Sequence, residues 1–207
     1  MPQAPTARPT DKVILGIDPG TLLMGYGILR IQGNRVSLLE AGHWRFRSTD
    51  SHLLRLSLIF KQTLALIQLH QPDELAIEAP FFAQNVQSLI KLGRAQGAAI
   101  AAALERDIPV FEYLPKKIKQ AVTGNGNASK HQVAAMLATL LQTPTDHFKN
   151  DATDALGAAY CHFLRMNDPT TAGNPTSTHA TKTKGVSGPK KKQAWEQFLR
   201  SNPDRQL

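Results

Sequence analysis

The sequence predicts an α/β domain with a mixed sheet flanked by helices, on three observations. Three short runs rich in β-formers follow one another near the N-terminus, parted by Gly and Asn turns, as in an antiparallel meander. Amphipathic helices and apolar strands then alternate, the pattern of crossover units in a partly parallel sheet. The rest of the patterned chain reads as helix.

The first three strands are expected at residues 13–18, 25–32 and 36–46. Leu53, Leu56, Phe60, Leu64 and Ile67 then recur at helical spacing, and the helix they mark must end before Pro72. Leu75-Ala76-Ile77-Glu78 reads as a buried strand, residues 85–106 as a long helix and residues 110–113 as a fifth strand. A helix over 115–123 should stop at Gly124-Asn125-Gly126-Asn127, because alternating Gly and Asn is turn chemistry. Ser129 with Gln132 makes a capping box for a helix over 129–142, and a last helix covers 150–166. The order is β-β-β-α-β-α-β-α-α-α.

The chain has 207 residues, 42% of them hydrophobic, and 24 Lys+Arg against 16 Asp+Glu give a formal charge of +8. That charge favours polyanions such as nucleic acid. No apolar run approaches the roughly 18 residues of a membrane span, and residues 1–11 lack a signal-peptide core, which argues against membrane insertion and secretion. One cysteine, Cys161, excludes an internal disulfide and a Cys-rich zinc site, fits a reducing cytoplasm, and is expected as a small buried apolar residue. Three segments follow. Residues 1–11 are a flexible extension, 12–166 the folded domain, and 167–207 a basic tail with seven Lys or Arg and three acids. The tail lacks apolar periodicity until Trp195, Phe198 and Leu199, so it cannot offset the entropy of ordering itself.

Four acids carry the chemistry. Asp18 ends the apolar run Val-Ile-Leu-Gly-Ile, where an unpaired carboxylate is costly, so a cationic partner is expected; an Asx turn before Pro19-Gly20 is the alternative. Glu78 likewise ends Leu75-Ala76-Ile77, a placement that fits either a partner Lys or Arg or a shared ion, since neighbouring strands lie about 4.8 Å apart. Asp151 and Asp154 lie one helical turn apart after Asn150. The helix dipole alone would account for them, but the Ala/Leu-rich continuation is too apolar to lie wholly exposed, which lets both face inward. Four carboxylates without thiolates suit Mg²⁺ or Mn²⁺ rather than zinc. Such sites hydrolyse phosphodiesters, so the chemistry points to a metal-dependent nuclease.

Six motifs in order then resemble the RuvC family of Holliday-junction endonucleases over residues 12–165. They are Gly16-Ile17-Asp18-Pro19-Gly20-Thr21 with Gly25-Tyr26-Gly27; Ala76-Ile77-Glu78 with Phe81; Lys91 to Gly97; Pro109 to Tyr113; Lys119-Gln120; and Asp151 to Leu156. The resemblance implies a ribonuclease-H-like five-stranded sheet and a homodimer. It implies paired symmetric nicks that leave 5'-phosphate and 3'-hydroxyl ends. One or two Mg²⁺ per subunit, replaceable by Mn²⁺, would sit at Asp18, Glu78, Asp151 and Asp154. The RuvAB branch-migration complex is the implied partner. Phe81 corresponds to the aromatic that stacks on junction bases, with Phe82 the adjacent alternative, and Lys119 and Lys130 to lysines that contact DNA near the scissile phosphate.

Lys116 and Lys117 carry no such match and read equally as a solvated face. Gly93 and Gly97 share one face of the long helix, and glycine there costs about 1 kcal/mol relative to alanine, so another element should approach closely: the dimer partner or the chain's own sheet. His147 lies four residues before Asp151, near enough to assist, whereas His131 and His147 without Cys partners make no zinc site. Leu22-Leu23 stands where the family has more polar residues, and Pro80 stiffens the approach to Phe81. Two other readings remain open. One is a non-catalytic junction-binding scaffold; the other is an actin-like phosphotransferase, for which a body of this length lacks a second lobe.

Overall fold

A computed structural model describes residues 11–80, 85–143 and 150–167. Five strands form one sheet in the order β3-β2-β1-β4-β5. β1 (Lys12–Asp18), β2 (Leu23–Gln32) and β3 (Arg35–Arg45) are the antiparallel meander. β4 (Glu74–Glu78) and β5 (Val110–Tyr113) add in parallel beside β1. The sheet is therefore mixed, as the order of elements requires.

Each helix begins and ends where local chemistry dictates. α1 (His52–His70) starts at Ser51, whose hydroxyl accepts from the Leu54 amide, and ends at Gln71 in the left-handed region, just before Pro72. α2 (Val86–Leu104) is capped by the Asn85 side chain, and α3 (Pro115–Thr123) opens on proline and closes on Gly124 at φ 74°. α4 (Lys130–Leu141) has both halves of the Ser129/Gln132 capping box. α5 (Asn150–Met166) completes the fold.

Strand alternation sorts the core into two layers. Leu15, Ile17, Leu75 and Ile77 pack toward α1 and α2 against Ile59, Ile67, Ala95 and Ala99. Ile14 and Ala76 turn to the other face, where Leu156 and Phe163 of α5, backed by Leu137 of α4, cover them. Burying an Ile or Leu side chain contributes about 1.5 to 3 kcal/mol, and these fully buried residues centre on β1 and β4. Cys161 is buried in the α5 layer, where burial pushes its thiol up to about 11.

α5 can approach the sheet closely because glycines stand at the points of contact. A Cβ at Gly16 or Gly25 would strike the backbone oxygens of Ala155 and Asp151, and one at Gly27 would strike the Leu156 side chain. A helix backbone cannot retreat from such a clash without moving the whole helix. Gly25→Ala should therefore destabilise the fold by about 1 to 3 kcal/mol, lowering Tm by about 2–4 °C per kcal/mol in a thermal melt.

Candidate active site

The sheet's carboxylates are placed by register. β1 and β4 pair with Ile17 opposite Ile77, so Asp18 and Glu78, each the next residue, leave adjacent strand ends about 4.8 Å apart. Alternation turns Asp18 and Glu78 to the α5 face together with Gly16 and Ala76.

The helical pair is placed by a second contact. α5 crosses β4 in the opposite direction, and His162 Nε2 meets Glu74 Oε2 at 2.7 Å at the far end of the strand. From Glu74 to Glu78 is about 13 Å of strand, and from His162 back to Asp154 is about 12 Å of helix. The contact at one end thus sets Asp154 opposite Glu78 at the other. Asp151, one turn earlier, lies over Gly25, the residue paired with Asp18.

His162 is only 2% exposed and continues the chain through Nδ1 to the Tyr113 hydroxyl at 2.6 Å, while Lys12 donates to the free Glu74 oxygen at 2.7 Å. Burial alone would raise the Glu74 pKa, but hydrogen bonds from His162 and Lys12 hold it down to about 2. This structural network escapes a motif search. Its signal in the sequence is the matched pair of spacings, four in a strand and eight in a helix.

The four acids act on one another. Burial, then the fields of Glu78, Asp154 and Asp151, raise Asp18 well above its ordinary value, with Lys130 opposing. Glu78 is pushed up to about 7 by burial and Asp154, against Lys130 and Lys119. Lys130 of α4 donates to Asp154 Oδ2 at 2.5 Å. Burial would lower its pKa, but that bond and the fields of Asp154, Asp18 and Asp151 raise it. Six of the residues singled out in the sequence therefore meet in one place: Asp18, Glu78, Asp151, Asp154, Lys119 and Lys130.

The cation expected beside Asp18 is answered in part by Lys130, whose field opposes the rise in the Asp18 pKa. Asp18 makes no ion pair among the described residues, because Lys130, the lysine whose field reaches it, is bonded to Asp154. Glu78 also has no Lys or Arg ion pair there. Phe81, Phe82 and His147 lie outside the described residues, as do the extension before residue 11 and the tail beyond residue 167. His131, Lys116 and Lys117 are exposed. Among the described residues, no atom lies within 4 Å of a Cβ placed on Gly93 or Gly97, so the chain's own sheet does not explain them.

An excess of hard oxygen donors around partly buried, mutually repelling charges fits a divalent ion such as Mg²⁺. Among the described residues no three His, Cys, Asp or Glu side chains already stand at ion-holding spacing.

Strand order, the two acids at adjacent strand ends and the acidic helix laid across them define a nuclease of the ribonuclease-H-like class. Residues 14–162 match the sequence profile described as crossover junction endodeoxyribonuclease RuvC, and the chain belongs to the RuvC family. The Bacteroides fragilis protein of that name is 50% identical over 197 residues, covering 94% of this chain and 96% of the relative. The one from Porphyromonas gingivalis is 48% identical over 95% of this chain and 98% of its own length. Among solved structures, Thermus thermophilus RuvC in complex with Holliday junction substrate has TM-score 0.70 and 31% identity, covering 75% of this chain and 96% of that one. The yeast mitochondrial resolvase Ydc2, at TM-score 0.55 and 15% identity over 77% and 79% of the two chains, shares the fold.

Burial and then repulsion at Glu78 have a measurable stability signature. Glu78 titrates near 7 in the fold against an ordinary 4.5, so its contribution to stability is full below 4.5 and is lost as pH rises through about 7. Without a divalent ion, Glu78→Gln should melt at the parent's temperature at pH 4 and a few degrees above it at pH 8. Adding Mg²⁺ at pH 8 should raise the parent's Tm and narrow that gap.

Proposed function

We propose that this chain resolves four-way junctions by metal-dependent hydrolysis of one phosphodiester in each of two symmetric strands, leaving 5'-phosphate and 3'-hydroxyl ends. The observation that carries the reading is the convergence of Asp18, Glu78, Asp151 and Asp154 with Lys130 bonded in among them. The RuvC relatives supply the substrate class.

The four carboxylates hold one or two Mg²⁺, with Mn²⁺ able to substitute. A bound ion of this kind polarises the phosphoryl oxygens and lowers the pKa of a water to make it the nucleophile. A bound cation would favour the ionised forms of Glu78 and Asp18 that burial and their neighbours disfavour, so ion binding would release protons. Lys130 exchanges Asp154 for a phosphate oxygen, and Lys119 holds a second oxygen of the same strand near Glu78. Phe81, three residues beyond Glu78, stacks on a base opened at the junction.

Residues 12–166 form the nuclease domain, and 167–207 are a polycation appended to it. Two copies pair through α2, where Gly93 and Gly97 leave room for a partner backbone. A two-fold dimer offers one site to each of two symmetric strands. The RuvAB motor supplies the junctions, and the work is done in the cytoplasm; no helix among the described residues is long and apolar enough to cross a membrane.

With Mg²⁺ the chain should nick a four-way junction and leave a linear duplex of the same sequence intact. Asp18→Asn should lose at least about 100-fold in rate, since even outer-shell partners of a metal ligand are worth 10–100-fold. Equal nicking by parent and variant, or none by the parent, overturns the reading. Sedimentation tests the dimer: Gly93→Leu should halve the mass of the parent particle, and a parent that already sediments as a monomer removes that part of the proposal.

A further inference from the structure

On the side of the site away from α3 and α4 the surface is basic and unpaired. A groove of about 460 Å³ opens between the start of β2 and the loop after β3, lined by Leu22, Leu23, Arg45, Phe46, Arg47, Ser48 and Thr49. Arg45 pairs with Leu23, whereas Asp18 pairs with Gly25. The groove therefore begins two strands across and two residues beyond the catalytic acid, about 12 Å away. Arg45 and Arg47 are exposed and make no ion pair among the described residues. Their only acidic neighbour in the segment 45–55, Asp50, makes none either.

The band continues where α1 starts. His52 lies three residues past Thr49, and the charges acting on it are all positive: Arg55 on its own helix, and Arg94 and Lys91 on α2. Both ring nitrogens of His52 and the Nε of Arg55 are shielded from solvent and have no hydrogen-bond partner among the described residues. Arg55, Lys91 and Arg94 make no ion pair among the described residues, so three cations and the unbonded His52 ring are open to an anion. Hydroxyls at Ser48 and Thr49 add neutral donors of the kind that bind phosphate oxygens.

We propose that Arg45, Arg47, His52, Arg55, Lys91 and Arg94 form a second phosphate-binding track, which holds the sugar-phosphate backbone of a junction arm opposite Lys119 and Lys130. The inference rests on the nuclease reading and extends it. The scissile strand is gripped by lysines on one side of the carboxylates and by this track on the other, so its phosphate is held in place across the acids rather than repelled by them. A row of separated cations beginning at the rim of the site suits a repeating polyanion better than a single acidic peptide.

The test uses the full chain with Asp18→Asn to prevent cleavage, a fluorescently labelled four-way junction, and anisotropy titrations over a range of salt concentrations. Arg45→Gln with Arg47→Gln, and separately Arg55→Gln with Arg94→Gln, should each weaken binding and flatten the log-log salt dependence by about 1.8, near 0.9 for each phosphate no longer neutralised. Arg45→Lys with Arg47→Lys keeps the charge and should restore the slope, which separates a missing cation from a misfolded chain. An unchanged slope in both Gln pairs overturns the track. A changed monomer–dimer balance in sedimentation with an unchanged slope also overturns it, assigning the face to a second copy. If the parent with Asp18 intact fails to cut the junction while the Gln pairs still flatten the slope, the nuclease reading falls and the track stands.

Discussion

The seating of α5 on β1, β2 and β4 is the contact on which the rest of the molecule depends. Glycines 16, 25 and 27 leave no side chain at the points where the helix comes closest to the sheet. His162 and Glu74 then fix where along the sheet it rests. Close approach without that bond would let the helix slide, and the bond without close approach would hold the acids too far apart. Together they bring two carboxylates from a helix to two from a sheet.

That gathering works against stability. Asp18 and Glu78 are raised by burial and by neighbouring acids, and one lysine bonded to Asp154 only partly relieves them. The cost is typical of sites kept for function, where a cation recovers what folding gives up. The Glu74 network has the opposite character. Its carboxylate is bonded to His162 and Lys12 and held down to about 2, so it stays ionised, whereas Asp18 and Glu78 are raised. Two glutamates four residues apart on one strand thus have opposite roles, set by what faces them.

Much of this is legible in the residues. Apolar runs ending in Asp18 and Glu78 mark both strand ends, and the capping box at Ser129 and the Gly-Asn turn bound α3 and α4 to within a residue. Local signals of this kind survive because caps, turns and periodicity act over a few residues. The sequence does not say which cation lies near Asp18, because Lys130 belongs to a helix whose position depends on long-range packing. The basic band around His52 escapes it for the same reason. Arg55 and Arg94 are 39 residues apart and meet only because α1 packs on α2.

The sequence by itself determined the strands and helices, the acids at their ends and the family to which the motifs belong. Each of those is written in neighbouring residues or in short ordered motifs. Only the tertiary structure decided which acids share a field, which lysine lies among them and which histidine locks the helix. Those relations are set by strand register and by the depth at which α5 rests on glycine, and no local pattern encodes either.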